Sequence, residues 1–150
     1  MKRYLSLMTA VSLFVGTAWC VSAQPDSTKA DAAIRAVLDQ QVAAWNRGDI
    51  EGYMDGYDRS PNTEFMGGDS FTRGWQQVLD RYKQRYDSRE KMGTLSFSEL
   101  EIHILSKDAA LVHGRWRLKR ANDEPHGTFT LLFRKTKSGW KIVHDHSSSA

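Results

Sequence analysis

The sequence predicts an α+β domain in which helices from the first half pack on one face of an antiparallel sheet built from the second. Three observations carry this expectation. Up to Gly93 the apolar residues recur at helical spacings of three and four. Beyond Gly93 they alternate with the period of two that marks a strand. The alternating runs are joined by the short segments "SKD", "ANDEPH" and "TKSG", which suit an antiparallel meander rather than crossover connections.

The chain opens with Lys2 and Arg3 ahead of an apolar run from Leu5 to Val21, and Val21-Ser22-Ala23 resembles a signal-peptidase site. Residues 1–23 therefore read as a secretory signal peptide, with the mature chain starting at Gln24 in the periplasm or outside the cell. Cys20 permits a lipoprotein reading, but the bulky Trp19 before it argues against lipidation. From Thr28 onward Ile34, Val37, Leu38, Val42 and Trp45 form one helical stripe that stops at Asn46-Arg47-Gly48. Asp49 can cap a short second helix carrying Ile50, Tyr53 and Tyr57. "SPNTEFMGG" reads as a short strand between turns. A third helix starts near Thr72, presents Trp75, Val78, Leu79, Tyr82 and Tyr86 on one face, and ends at Gly93.

In the following strand Leu95 and Phe97 are odd-numbered whereas Leu100, Ile102 and Ile104 are even-numbered. A β-bulge near Ser98-Glu99 would keep both sets facing inward. Ala110 to Lys119, Gly127 to Lys135 and Trp140 to Ser147 supply three more strands.

Composition excludes several classes. The sequence holds 21 Lys+Arg and 18 Asp+Glu; without Lys2 and Arg3 the mature chain has 19 against 18, a net charge of +1. No basic stripe for nucleic acid survives, and no membrane association is expected once the leader is cleaved. With Cys20 gone the mature chain has no cysteine, so its core alone must hold it together. There is no G-x-S-x-G elbow and no glycine-rich phosphate loop.

The order of elements, with "GRWRL", "FTLLFRK" and "GWKIVHDHSS" on the last strands, resembles the SnoaL-like branch of the nuclear-transport-factor-2-like superfamily, which includes the association domain of calmodulin-dependent kinase II. The resemblance spans residues 24–150 as a single domain. It implies a cone, in which a strongly bent sheet curls around the helices and leaves an apolar pocket at its open end, and a convex sheet face that meets a partner subunit. It does not imply one function, since the superfamily hosts isomerases, dehydratases, epoxide hydrolases, binding modules and oligomerisation domains.

Within such a cone, strand alternation puts Val112, Gly114, Trp116 and Leu118 inward, then Phe129, Leu131 and Phe133, then Ile142, His144 and His146. Asp145, Lys141, Arg115 and Arg117 fall on the convex side. The candidate ligand-binding set is His144, His146, Trp116, Tyr53, Tyr57 and Tyr82; the competing reading makes the histidines hydrogen-bonded structural groups and the aromatics core. His103 and His113 point outward and His126 lies in a turn, so neither a metal site nor a cofactor is expected. Arg81, Lys83, Arg85 and Glu90 read as a solvated helix face. The base of the ketosteroid-isomerase-like relatives would fall at Met66, which cannot abstract a proton, and Glu64 would need a shifted register. A dehydratase-like arrangement would draw its acid from Asp55 or Asp58, at an ill-matched spacing. The expectation is an exported small-molecule-binding domain, homodimeric through a convex face of Arg115, Arg117, Thr130, Leu132, Val143 and Asp145. The alternatives are a cofactor-independent lyase or isomerase using His144 and His146 as acid and base, and a dimerisation module.

Overall fold

A computed structural model of the protein describes residues 25–150; the expected leader, its cleavage site and Gln24 lie outside the described residues. The elements run α1 (Pro25–Asn46), α2 (Ile50–Met54), β1 (Glu64–Gly67), β2 (Ser70–Arg73), α3 (Trp75–Arg85), α4 (Arg89–Met92), β3 (Thr94–Ser106), β4 (Ala109–Lys119), β5 (His126–Thr136) and β6 (Gly139–Ser147). No helix among the described residues is long and apolar enough to cross a membrane.

Helix α1 buries Ile34, Leu38, Gln41 and Trp45, spaced four, three and four residues apart, against β3, β6 and α2. It breaks at Gly48, whose φ of 87° lies in the left-handed region that glycine adopts without Cβ strain. The Asp49 carboxylate then accepts from the Gly52 amide at 2.7 Å, capping α2 as expected. The end of α1 is tied to the sheet and to α4: Asn46 accepts from the Leu95 amide at 2.7 Å and donates to the Leu95 carbonyl at 3.1 Å, and the Trp45 indole donates to the carbonyl of Met92 in α4 at 3.1 Å.

The sheet has six strands in the order β2-β1-β6-β5-β4-β3. The meander β3-β4-β5-β6 is antiparallel throughout, and β1 joins its far edge parallel to β6. Two features differ from the sequence reading. Ser70–Arg73, assigned to a turn and the start of a helix, is a strand that pairs with β1 as a hairpin. The third helix is divided, α3 ending at Arg85 and Ser88 capping the short α4.

Two irregularities bend the sheet. In β3 the pairing shifts between Ser98 and Glu101, with Glu99 at φ 52°, so Leu95 and Phe97 on one side and Leu100 and Ile102 on the other all turn inward. This is the bulge the parity change predicts. The second lies in β6, where Leu132 pairs with His144 but Phe133 pairs with Ile142, leaving Val143 as an extra residue. There the Ile142 amide and carbonyl bond to Gly56 and Asp58, so the loop carrying Tyr57 crosses the strand at the point of the shift.

Candidate ligand-binding site

The bulge at Val143 decides which side chains enter the cone. Trp140 and Ile142 face inward; after the extra residue the inward positions become Asp145 and Ser147. The expectation that His144 and His146 face the concave side, with Asp145 opposite, is therefore corrected. His144 Nδ1 lies 3.1 Å from Glu64 Oε2 on the outer face, and His146 is exposed beside it; neither lines the cavity. They share that face with His113, which meets the Thr130 hydroxyl at 3.2 Å, and with His103, its ring centroid 5.6 Å from that of His113.

The cavity has a volume of about 360 Å³. Its interior is walled by Trp45, Tyr53, Tyr57, Leu95, Phe129 and Leu131, all buried, and by the partly buried Tyr82, Phe97 and Trp116. The sequence-predicted Tyr53, Tyr57, Tyr82 and Trp116 thus come together here. The exposed Gly68, Asp69, Arg85 and Ser149 mark the mouth. Gly114 holds the wall close, since a Cβ there would press on the Phe129 ring and Leu100.

Asp145 is the one buried carboxyl among the described residues, 3% exposed. Its Oδ2 accepts from the Tyr57 hydroxyl at 2.6 Å and its Oδ1 from the Ser147 hydroxyl at 2.8 Å. No salt bridge neutralises it among the described residues. Hydrogen bonds to a charged group contribute about 1.5–3 kcal/mol each, while removing an ion from water costs several kcal/mol. Desolvation wins, and the Asp145 pKa is pushed up from 3.8 to about 6; the Tyr57 and Ser147 bonds and the nearby histidines pull it down only in part. Burial also drives Tyr57 and Tyr82 well above the ordinary phenol value, so both stay protonated. Each carboxylate oxygen keeps a lone pair beyond the one its hydroxyl partner uses. The site can therefore accept a hydrogen bond or a proton from a guest.

Other candidate groups lie elsewhere. Glu64 is held by Arg73 at 2.7 Å and by His144, both hydrogen bonds lowering its pKa. Met66 shares the side of β1 opposite the cavity-lining Phe65. Asp55 pairs with Arg59 on the surface, and Asp58 does not line the cavity. No group of three or more potential metal-ligating side chains converges among the described residues.

Four cavity groups escaped the sequence reading. Gln41 sits within the apolar stripe of α1, and its polarity there was the available signal; its amide donates to the Tyr53 carbonyl at 3.1 Å. Arg81 and Arg85, taken for solvent-facing charges, line the rim. For Asp145 the signal was Ile142-Val143, two consecutive apolar residues in an otherwise alternating strand.

A cone of this kind with a lined cavity defines a class, and comparison with known proteins places the chain in it. The SnoaL-like domain family matches residues 34–150, and the protein belongs to that family. An NTF-2-like protein of unknown function from Shewanella oneidensis is 43% identical, with 79% of this chain and 98% of that one covered and a TM-score of 0.75. Two more distant structures share the fold. An NTF2-like superfamily protein from Salmonella enterica is 21% identical over 82% of this chain and 92% of its own, at a TM-score of 0.67. A ketosteroid isomerase-like protein from Erwinia carotovora is 21% identical over 79% and 94%, at 0.62. A search of curated proteins returned no match.

Proposed function

We propose that this protein is an exported, homodimeric small-molecule-binding domain whose ligand sits in the cone cavity, with Asp145 in place of the histidines as its principal polar contact. The observation that supports this reading is one buried carboxyl set into an aromatic-walled cavity of about 360 Å³. Binding sites combine an apolar lining with a few fixed polar groups in this way. Export rests on the basic and apolar pattern of residues 1–23. Dimerisation rests on the convex face, where Leu132, Val143 and Thr130 mix with His113, His144 and Arg115 as a subunit interface can.

A second reading, proton-transfer catalysis of the isomerase or lyase type, is favoured by Asp145 itself. A carboxyl with a pKa of about 6 inside an apolar cavity suits a general base near neutral pH. The histidines are then not the acid and base, because they face away. Native mass spectrometry of the purified protein and Asp145→Ala tests the binding reading: a retained small molecule that the variant loses supports it. Retention by both proteins, or by neither together with no hit from a ligand screen, counts against it. Deuterium wash-in at a ligand carbon in D2O, absent in Asp145→Asn, would distinguish catalysis from binding.

A further inference from the structure

The arginines of this chain divide into two groups. Arg35, Arg47, Arg59, Arg73, Arg115, Arg117, Arg120 and Arg134 each donate to a carboxylate, and Arg89 donates to the Trp45 and Asn46 carbonyls. Only Arg81 and Arg85 make no hydrogen bond or ion pair among the described residues, and these are the two arginines that line the cavity. They lie four residues apart on α3, one turn along the same face. Each guanidinium rests on an aromatic ring, Arg81 at 5.2 Å from the Phe65 centroid and Arg85 at 5.9 Å from that of Tyr86. A cation–π contact at these distances engages none of the N–H donors, which stay available as the fork that matches a carboxylate.

The cavity is therefore bipolar. Its interior holds one carboxyl already hydrogen-bonded by two hydroxyls, and its rim carries two unengaged cations against a single acidic group, Asp69. We infer that the ligand of this site is a small aromatic carboxylate whose ring fills the cone and whose anionic group is held at the mouth by Arg81 and Arg85. This rests on the cavity being a ligand site and goes beyond it by naming the ligand's charge and orientation. A cationic ligand would have to pass the two guanidiniums, whereas a carboxylate group is held by them at the mouth, away from Asp145, which meets the ring end of the ligand.

The probes are 6-hydroxy-2-naphthoate, its neutral amide and 2-naphthylmethylamine, titrated calorimetrically into the mature protein. The wild type should bind the acid more tightly than the amide by on the order of tenfold, the scale of one charge-assisted contact at a partly exposed site. Arg81→Gln/Arg85→Gln should bind acid and amide alike, while Arg81→Lys/Arg85→Lys, which keeps the charge but not the fork, should retain part of the preference. Retained amide binding shows that the glutamine variant is folded. Equal binding of acid and amide by the wild type, or tighter binding of the amine, overturns the anionic assignment while leaving the cavity as a ligand site. Binding of none of the three overturns this inference, and the cavity reading is then judged by the mass-spectrometric test.

Discussion

Asp145 shows how far one side chain can depart from what alternation alone dictates. Counted from Trp140 it falls on the convex face; in the folded chain it is the buried carboxyl of the cavity. Its raised pKa has a consequence for stability. A carboxyl titrating at about 6 when folded and at 3.8 when unfolded binds its proton more tightly in the native state. The resulting stabilisation is complete below pH 3.8 and is lost as pH rises through about 6. Asp145→Asn keeps the shape and can keep both hydroxyl contacts, but never carries the charge. We expect its melting temperature to match wild type near pH 4 and to exceed it at pH 8, by the equivalent of about 1–3 kcal/mol. Thermal unfolding at the two pH values checks this, and a destabilised Asn variant at pH 8 would contradict it. The histidines carry the opposite expectation. His144→Ala loses one partly exposed contact to Glu64, should cost less than about 1 kcal/mol, and should leave ligand affinity in the cavity unchanged, as paired calorimetric titrations of wild type and variant would show.

At the scale of elements, what was legible depended on whether a signal was local. The stripe of α1, the Asp49 cap and the bulge at Ser98-Glu99 are written in short windows of sequence, and the chain forms them there. Strand β2 has no such window. Ser70-Phe71-Thr72-Arg73 becomes a strand because the hairpin folds it onto β1, and β1 is itself fixed by pairing with the distant β6. The β6 bulge is equally non-local, set where the Tyr57 loop takes over the Ile142 hydrogen bonds. Gly114 lets the Phe129 ring pack close in the cavity wall, since an added methyl meets that ring and Leu100. Gly114→Ala should destabilise the domain by about 1–3 kcal/mol through overpacking, measurable as a lowered urea midpoint at an unchanged m-value.

For the whole molecule, residue order and spacing were enough to establish helices packed on one face of an antiparallel meander, because helices followed by short-looped strands have few ways to bury one apolar face each; the cone itself was what the family resemblance implied. Order and spacing were not enough to establish the inner and outer sides of the last strand, which one inserted residue exchanges. That exchange also redraws the outer surface: four histidines, His103, His113, His144 and His146, now share it, and Asp145 leaves it. The homodimer proposed through this face should persist at micromolar concentration in sedimentation velocity and dissociate in Leu132→Glu, while a wild-type monomer at that concentration would rule it out. The central claim is that a buried, titratable Asp145 faces a cavity open to a ligand. Carbon-13 NMR of the Asp145 carboxyl across a pH series, with and without 6-hydroxy-2-naphthoate, tests this most directly. The expected result is a midpoint of about 6 in the free protein and a displaced midpoint on addition of the acid, with any change at His144 and His146 smaller than that at Asp145. A midpoint near 3.8 that ignores the acid, or histidine resonances that follow it instead, would contradict the account.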